Sequence, residues 1–332
     1  MEPDTTTAST PGRPPPSIPP PLRREREAPP PSASDPTHTD WGRAIALIRA
    51  YASLTKPKVI LLLEVPTLAA MLVATPDLPS PWLVAVTLIA GALAAGGSAA
   101  INCWFDRDID AEMGSRTSRR AIPSGAVSAN SALAFGIVMA GASLVMLAGL
   151  VNLIAAGLAA VAIVIYVGVY TLWLKRSSPS NIVLGGAAGA IPPLIGWAAV
   201  AGELPATAWM LFALIFFWTP PHFWALALLI HDQYARAGVP MLPVVRGEGE
   251  TRRQIVLYSL QMVAVSMLPV VGGGAGLTFL AGAGALGAYF IFLAIRLARS
   301  KARADASRLF HYSMLYLVGV FVVLVVDARL VF

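Results

Sequence analysis

Three oxygen-bearing side chains recur at intervals of four: Asn102, Asp106 and Asp110. Four residues turn an α-helix by about 400°, so the three share one face with about 40° of drift per step. They form an oxygen-rich stripe about 12 Å long. Two carboxylates and an amide are hard ligands. Such a set suits Mg2+, which takes one or two carboxylates and fills its shell with water and substrate phosphate. Asp108 points off this face and reads, with Arg107, as part of a solvated helix end.

An arginine cluster follows, with Arg116, Arg119 and Arg120 around Thr117 and Ser118. Acids that hold a metal and arginines that bind phosphate oxygens are the two halves of a metal–diphosphate site. For any single arginine, contact with anionic lipid headgroups is the competing reading. A second polar group of residues runs from Trp218 through Pro220, Pro221 and His222 to His231, Asp232, Gln233 and Tyr234. Pro220-Pro221 is expected to break its helix and free carbonyls towards a cavity, as is Pro192-Pro193. His222 and Glu64 are ionisable groups within apolar stretches, which makes them functional candidates. Pairing with another helix is the expectation for Glu64. The sequence has no Walker A loop, no GxGxxG after a strand, no GxSxG and no HExxH.

The elements that must position these residues are membrane helices. The 332 residues are 56% hydrophobic and 13% charged, against about 25% charged in an ordinary soluble domain. That leaves too little polar surface for a water-soluble enzyme, a nucleic-acid-binding module or a secreted disulfide scaffold. The net charge of +6 is therefore read as basic loops beside a bilayer rather than as a nucleic-acid surface. The single cysteine, Cys103, can form no intrachain disulfide. Apolar stretches of spanning length lie at about 57–75, 82–104, 130–150, 153–173, 182–201, 206–230, 255–272, 275–296 and 310–328. The expected fold is all-α, a polytopic membrane bundle of about nine transmembrane helices. Asn152 and Gly272–Gly274 supply short turns, and Gly91, Gly96, Gly97, Gly185, Gly186 and Gly189 predict close helix packing.

Two parts are expected, a tail over 1–40 and a membrane domain over 41–332. The tail holds twelve of the 27 prolines and reads as disordered. It lacks the apolar stretch expected of a cleavable secretory signal. Of the 24 lysines and arginines, all but Arg329 fall on one side of a nine-span arrangement. The positive-inside rule makes that side, and the N-terminus, cytoplasmic.

The spacing Asn-x-x-x-Asp-x-x-x-Asp at the end of the second span resembles the first aspartate-rich motif of the intramembrane, UbiA-type prenyltransferases. A longer string narrows the likeness: Asn102-Cys103-Trp104-Phe105-Asp106-Arg107-Asp108-Ile109-Asp110, then Met113 and Arg116-Thr117. So do Lys56-Pro57-Lys58-Val59, the run from Asn181 to Gly186, Pro192-Pro193-Leu194-Ile195-Gly196-Trp197, Pro221-His222-Phe223 and the run from Ala237 to Val245. Together these resemble the protoheme IX farnesyltransferases (haem O synthases), from about residue 50 onward.

The resemblance implies transfer of farnesyl from farnesyl diphosphate to a vinyl group of haem b. Water adds at the same vinyl, giving haem O and diphosphate, in haem A and cytochrome oxidase biogenesis. It implies a multi-pass protein of the plasma membrane, its active site facing the cytoplasm, with a haem A synthase as partner. By the same resemblance Asn102, Asp106 and Asp110 are the catalytic, Mg2+-holding residues. Lys58, Arg116, Lys175 and Arg176 are the diphosphate contacts, and His222 is the haem contact. Asp232 and Tyr234 form the second acidic motif, with Asp232 a metal ligand. Phe105, Trp218, Phe223 or Trp224 could face the allylic cation. The chain departs from the pattern at Gln233, Ala99 and Ala121, where Asp, Asn and Pro are common, and by one extra residue between Met113 and Arg116. An aromatic (quinone-precursor) prenyltransferase is the nearest alternative. A secondary transporter is a further one, disfavoured because the two Pro-Pro pairs lie in adjacent spans rather than in matching halves.

Overall fold

The computed structural model of the chain describes residues 40–114 and 117–331. The expected disordered tail, except for residue 40, lies outside them. The chain divides into two units, Met1–Arg43 and Ala44–Phe332, and the second holds the helical bundle. The described residues form helices and no strands. In chain order these are α1 (Asp40–Leu54), α2 (Pro57–Val73), α3 (Pro81–Phe105), α4 (Arg107–Glu112), α5 (Ala129–Leu150) and α6 (Leu153–Ser177). Then come α7 (Asn181–Ala190), α8 (Pro192–Ala201), α9 (Ala206–Leu229), α10 (His231–Arg236), α11 (Leu242–Ser266), α12 (Leu277–Ser300) and α13 (Arg303–Val331).

Among the described residues, eight helices are long and apolar enough to cross a membrane, α7 and α8 counting as one. The remaining expected span is α2, whose 17 residues sit at the short end of the spanning range. Local chemistry sets the ends. Asn152 caps α6 by accepting from Ala155 N at 2.8 Å, and its Nδ2 donates to Ala198 O at 2.7 Å. Gly273, with φ 72°, turns the chain between α11 and α12. Close packing rests on a few glycines. A Cβ on Gly97 would fall 2.7 Å from Gly136 O, and one on Gly196 would fall 2.3 Å from Thr67 O. Those two positions bring α3 onto α5 and α2 onto α8.

Three features depart from the sequence reading. Pro192-Pro193 does separate two helices, with the bend at Ile191 and both prolines opening α8. Pro220 and Pro221 do not: α9 runs through them unbroken. Each proline removes only its own N–H bond, and neighbouring hydroxyls can serve the backbone. Thr219 Oγ1 donates to Ile215 O at 2.8 Å beside this point, while the carbonyls left without a helical N–H are those of Phe216 and Phe217. Second, the helix expected from about 255 begins at Leu242, because its first turns carry charge that an apolar window passes over. It is bent at Gly247, whose φ of 78° and ψ of 163° are not helical. Third, Glu64 finds no pairing group among the described residues. Its Oε2 is buried without a hydrogen-bond partner, and its Oε1 lies 2.8 Å from where a Cβ on Gly91 would sit. The side chain fits because α3 offers no side chain there.

Candidate active site

The stripe forms at the junction of α3 and α4. Asp106 ends α3 at φ −84° and ψ 7°. The i to i−4 bonds nevertheless continue, with Asp106 N to Asn102 O at 2.9 Å and Asp110 N to Asp106 O at 2.8 Å. The helical register therefore survives the bend, and the three side chains stay on one face. Asn102, Asp106 and Asp110 are 4%, 1% and 2% exposed.

Burying two carboxylates is costly unless opposite charge and hydrogen bonds accompany them. Three cations do so. Lys175, at the end of α6, is hydrogen-bonded to Asp106 Oδ2. Arg120 Nη1 reaches Asp110 Oδ1 at 2.5 Å. Lys56 Nζ donates to Asn102 Oδ1 at 2.8 Å. The Asn102 amide nitrogen donates to Asp106 Oδ2 at 2.7 Å and to Thr171 Oγ1 at 3.2 Å. Thr171 in turn donates to Tyr166 O, five residues back, at 2.8 Å. That spacing follows from the π-helical stretch Val164–Leu174 within α6. The wider coil, a common local device at functional sites, carries Thr171 to the stripe. It also holds Tyr166 and Tyr170 as a stacked pair, ring centroids 5.5 Å apart.

One oxygen of each carboxylate is left over. Asp106 Oδ1 and Asp110 Oδ2 are buried with no hydrogen-bond partner among the described residues. Such atoms are expensive to leave unpaired. Two free carboxylate oxygens on one face are a donor set that a hard dication with an otherwise open shell would complete. Among the described residues no three His, Cys, Asp or Glu side chains group as metal ligands. The set therefore fits an ion that keeps water and substrate oxygens, not a closed protein cage.

The other candidate residues lie in several places. Lys58 is exposed, and it is Lys56 that reaches the stripe. Lys56 takes a left-handed φ of 54° just before Pro57 opens α2, an uncommon conformation for a residue with a side chain. Arg116 lies outside the described residues. Arg176 is held on Asp108 by two bonds of 2.7 Å, on Phe105 O at 2.9 Å and over the Phe105 ring at 4.5 Å. This occupies one face of the Phe105 ring. The Arg176 hydrogen bond pulls the Asp108 carboxyl down to about 2.

Asp232 is solvent-exposed on α10 and its Oδ1 lies 3.0 Å from His231 Nδ1, which lowers its pKa. It makes no hydrogen bond or ion pair with the stripe among the described residues. Tyr234, on the same short helix, is near enough for its phenol to feel Lys175, Arg120 and Asp106, and burial pushes that phenol up to about 12. It is a neutral donor at any working pH.

His222 sits within α9, 6% exposed. Its ring stacks on Trp218 at 4.4 Å and Phe310 at 4.8 Å. Its Nδ1 lies 2.6 Å from Ser313 Oγ. That hydroxyl donates to Phe310 O at 2.6 Å, so it accepts from Nδ1–H and leaves Nε2 as the acceptor. Sequence reasoning missed Lys56, Arg120 as a carboxylate partner, Thr171 and the Tyr166–Tyr170 pair. The Lys-Pro-Lys run and the cluster at 116–120 carried a signal for the first two. A π-helical stretch has no comparable sequence sign.

Comparison with known proteins gives consistent results. The model of the UbiA prenyltransferase family matches residues 63–319. A protoheme IX farnesyltransferase of Roseiflexus castenholzii is 51% identical over 282 residues, 85% of this chain, but this chain spans only about half (52%) of that relative's length. One of Thermosynechococcus vestitus is 51% identical over 273 residues, covering 80% of this chain and 84% of the relative. Among solved structures, a digeranylgeranylglyceryl phosphate synthase superposes with TM-score 0.71 at 18% identity, over 85% of this chain and 99% of that one. A UbiA homolog from Archaeoglobus fulgidus bound to GPP and Mg2+ does so with TM-score 0.61 at 18% identity, over 83% and 99%. At such identities these two speak for the fold.

Proposed function

The chain belongs to the UbiA prenyltransferase family, and from that premise we propose that it transfers the farnesyl group of farnesyl diphosphate to a vinyl group of haem b, with addition of water, to give haem O and diphosphate. The reaction class rests on one observation: two buried carboxylates, each with one unpaired oxygen, ringed by three cations. The acceptor rests on relatives about half identical in sequence that carry the name protoheme IX farnesyltransferase.

Asp106 and Asp110, with Asn102, would hold Mg2+, and a Mg2+-bound fold relative supports that choice of ion. When bound, the ion supplies positive charge against the diphosphate as the carbon–oxygen bond breaks. The chain's own groups do the rest. Lys175 and Arg120 hold the carboxylates in register and sit where diphosphate oxygens would take their remaining N–H donors. Lys56 fixes the Asn102 amide, so that its nitrogen faces Asp106. Tyr166 and Tyr170 present half-buried aromatic surface beside the stripe, suited to an allylic cation that must be kept from water. His222, with Nδ1 engaged by Ser313, is the proposed haem contact through Nε2.

We place this multi-pass protein in the plasma membrane with the N-terminus and the stripe on the cytoplasmic side. The grouping of lysine and arginine at the stripe end of the bundle supports that. A haem A synthase is the proposed recipient of the product. The deciding experiment is the mass of the product formed by purified protein in detergent with haem b, farnesyl diphosphate and Mg2+. A haem product heavier by one farnesyl group and one hydroxyl group is expected. A preparation inert with haem but active on an aromatic acceptor overturns the reading.

A further inference from the structure

Between α11 and α12 lies a cavity of about 440 Å3 whose lining includes no residue of the candidate active site. Its size falls within the range of about 300–1,000 Å3 usual for small-ligand sites. Its lining divides by chemistry, with Arg252, Arg253 and Lys301 on one side and Val256, Leu257 and Ala298 on the other. After the bend at Gly247 the helix starts again, so Gly249, which also lines the cavity, lies in a first turn whose N–H groups favour an anion.

The cations are only partly used. Arg252 is paired with Glu248 through Nη2, but its Nε is buried with no partner among the described residues. Arg253 is 71% exposed and its one acidic contact, Glu250, is at 3.4 Å. Lys301 has no ion pair among the described residues and is held at a left-handed φ of 57° where α12 ends. The apolar half continues along a membrane-crossing helix, where Leu257 and Leu260 are 41% and 46% exposed. A phosphate seated on the cations would therefore have hydrocarbon beside it.

We propose that this cavity binds the phosphate of an anionic glycerophospholipid, with the acyl chains lying along Leu257 and Leu260. A soluble phosphate shares the headgroup chemistry but has no use for the apolar wall.

The test uses the full chain in detergent, titrated separately with phosphatidylglycerol, phosphatidylcholine and inorganic phosphate. Bound lipid is read by native mass spectrometry and stability by thermal unfolding. Phosphatidylglycerol is expected to remain bound and to raise the unfolding midpoint, the other two to do neither. The double variant Arg253→Gln/Lys301→Gln should bind phosphatidylglycerol about tenfold more weakly. Its lipid-free midpoint should be unchanged, since both side chains are at the surface. Arg236→Gln, a loss of positive charge outside the cavity, should bind it normally. Equal retention of phosphatidylcholine, an unaffected double variant, or the same midpoint rise with inorganic phosphate alone would each overturn the proposal.

Discussion

The two ends of the bundle bury the same chemical group in opposite ways. At one end, where α2 begins and α3 finishes, Asp106 and Asp110 are almost inaccessible and each keeps one oxygen unpaired. At the other, where α2 finishes and α12 begins, Asp327 is 2% exposed. Its oxygens accept from Gly276 N at 2.6 Å and Phe279 N at 3.0 Å. These are orphan N–H groups of a helix start, which a carboxylate satisfies in both hydrogen bonding and charge. Arg329 beside it donates to the carbonyls of Leu72 and Pro76, at the end of α2. Burial of a carboxylate thus does not distinguish a site from a strut. What its surroundings leave unpaired does.

That contrast is broken most sharply at the stripe. Asp106→Asn and Asp110→Asn should each lower farnesyl transfer by about 10²–10³-fold or more, the scale of losing one electrostatic contact to a developing charge. Each should still unfold cooperatively in detergent near the wild-type temperature, since the asparagine keeps the shape. Full activity in either would remove the metal-holding role. Asp327→Ala should do the reverse. It leaves two helix-start N–H groups buried, at a cost of about 2 kcal/mol, read as a lower unfolding midpoint, while the rate per folded molecule is kept. A catalytic loss there without a stability loss would erase the distinction between the two ends.

Lys56 and Lys58 give a narrower comparison within four residues. Only Lys56 touches the stripe. Lys56→Ala should cost about tenfold in turnover by freeing the Asn102 amide, the scale of one charge-assisted hydrogen bond. Lys58→Ala should cost less than half of the rate. Steady-state rates at saturating farnesyl diphosphate decide it, and the opposite ranking would return the role to Lys58.

Much of this was legible in the residues because the signals were local. Spans follow from composition, and the stripe from a spacing of four that the junction of α3 and α4 preserves. The cations were less so, because the choice between Lys56 and Lys58 depends on a left-handed φ at Lys56, which no spacing reveals. Arg176 and Lys175 are adjacent in sequence, yet one goes to Asp108 and the other to Asp106. Successive residues at the end of a helix point in different directions, so a pair of like charges says nothing of which is used. The Pro220-Pro221 expectation failed for a related reason. Whether two missing N–H groups end a helix is decided by what surrounds the freed carbonyls, which is tertiary information.

The smallest expected effect tests whether Asp108 belongs with its neighbours. It lies two residues from Asp106 and from Asp110, but it is solvated, 59% exposed, and closed by a two-point bond to Arg176, itself 34% exposed. The hydrogen bond from Arg176 lowers its carboxyl from 3.8 to about 2. Because the folded value lies below the unfolded one, the pair stabilises the fold above about pH 4, and that contribution is lost as pH falls through about 2. Solvent screening keeps it below about 1 kcal/mol. Asp108→Asn should therefore lower the unfolding midpoint slightly at pH 7, by less as the pH approaches 2, and leave turnover within about twofold. Unfolding at pH 7 and pH 2.5, alongside the turnover assay, separates the cases. A turnover loss on the scale of Asp106→Asn would bring Asp108 into the site, because a solvated surface pair cannot produce one.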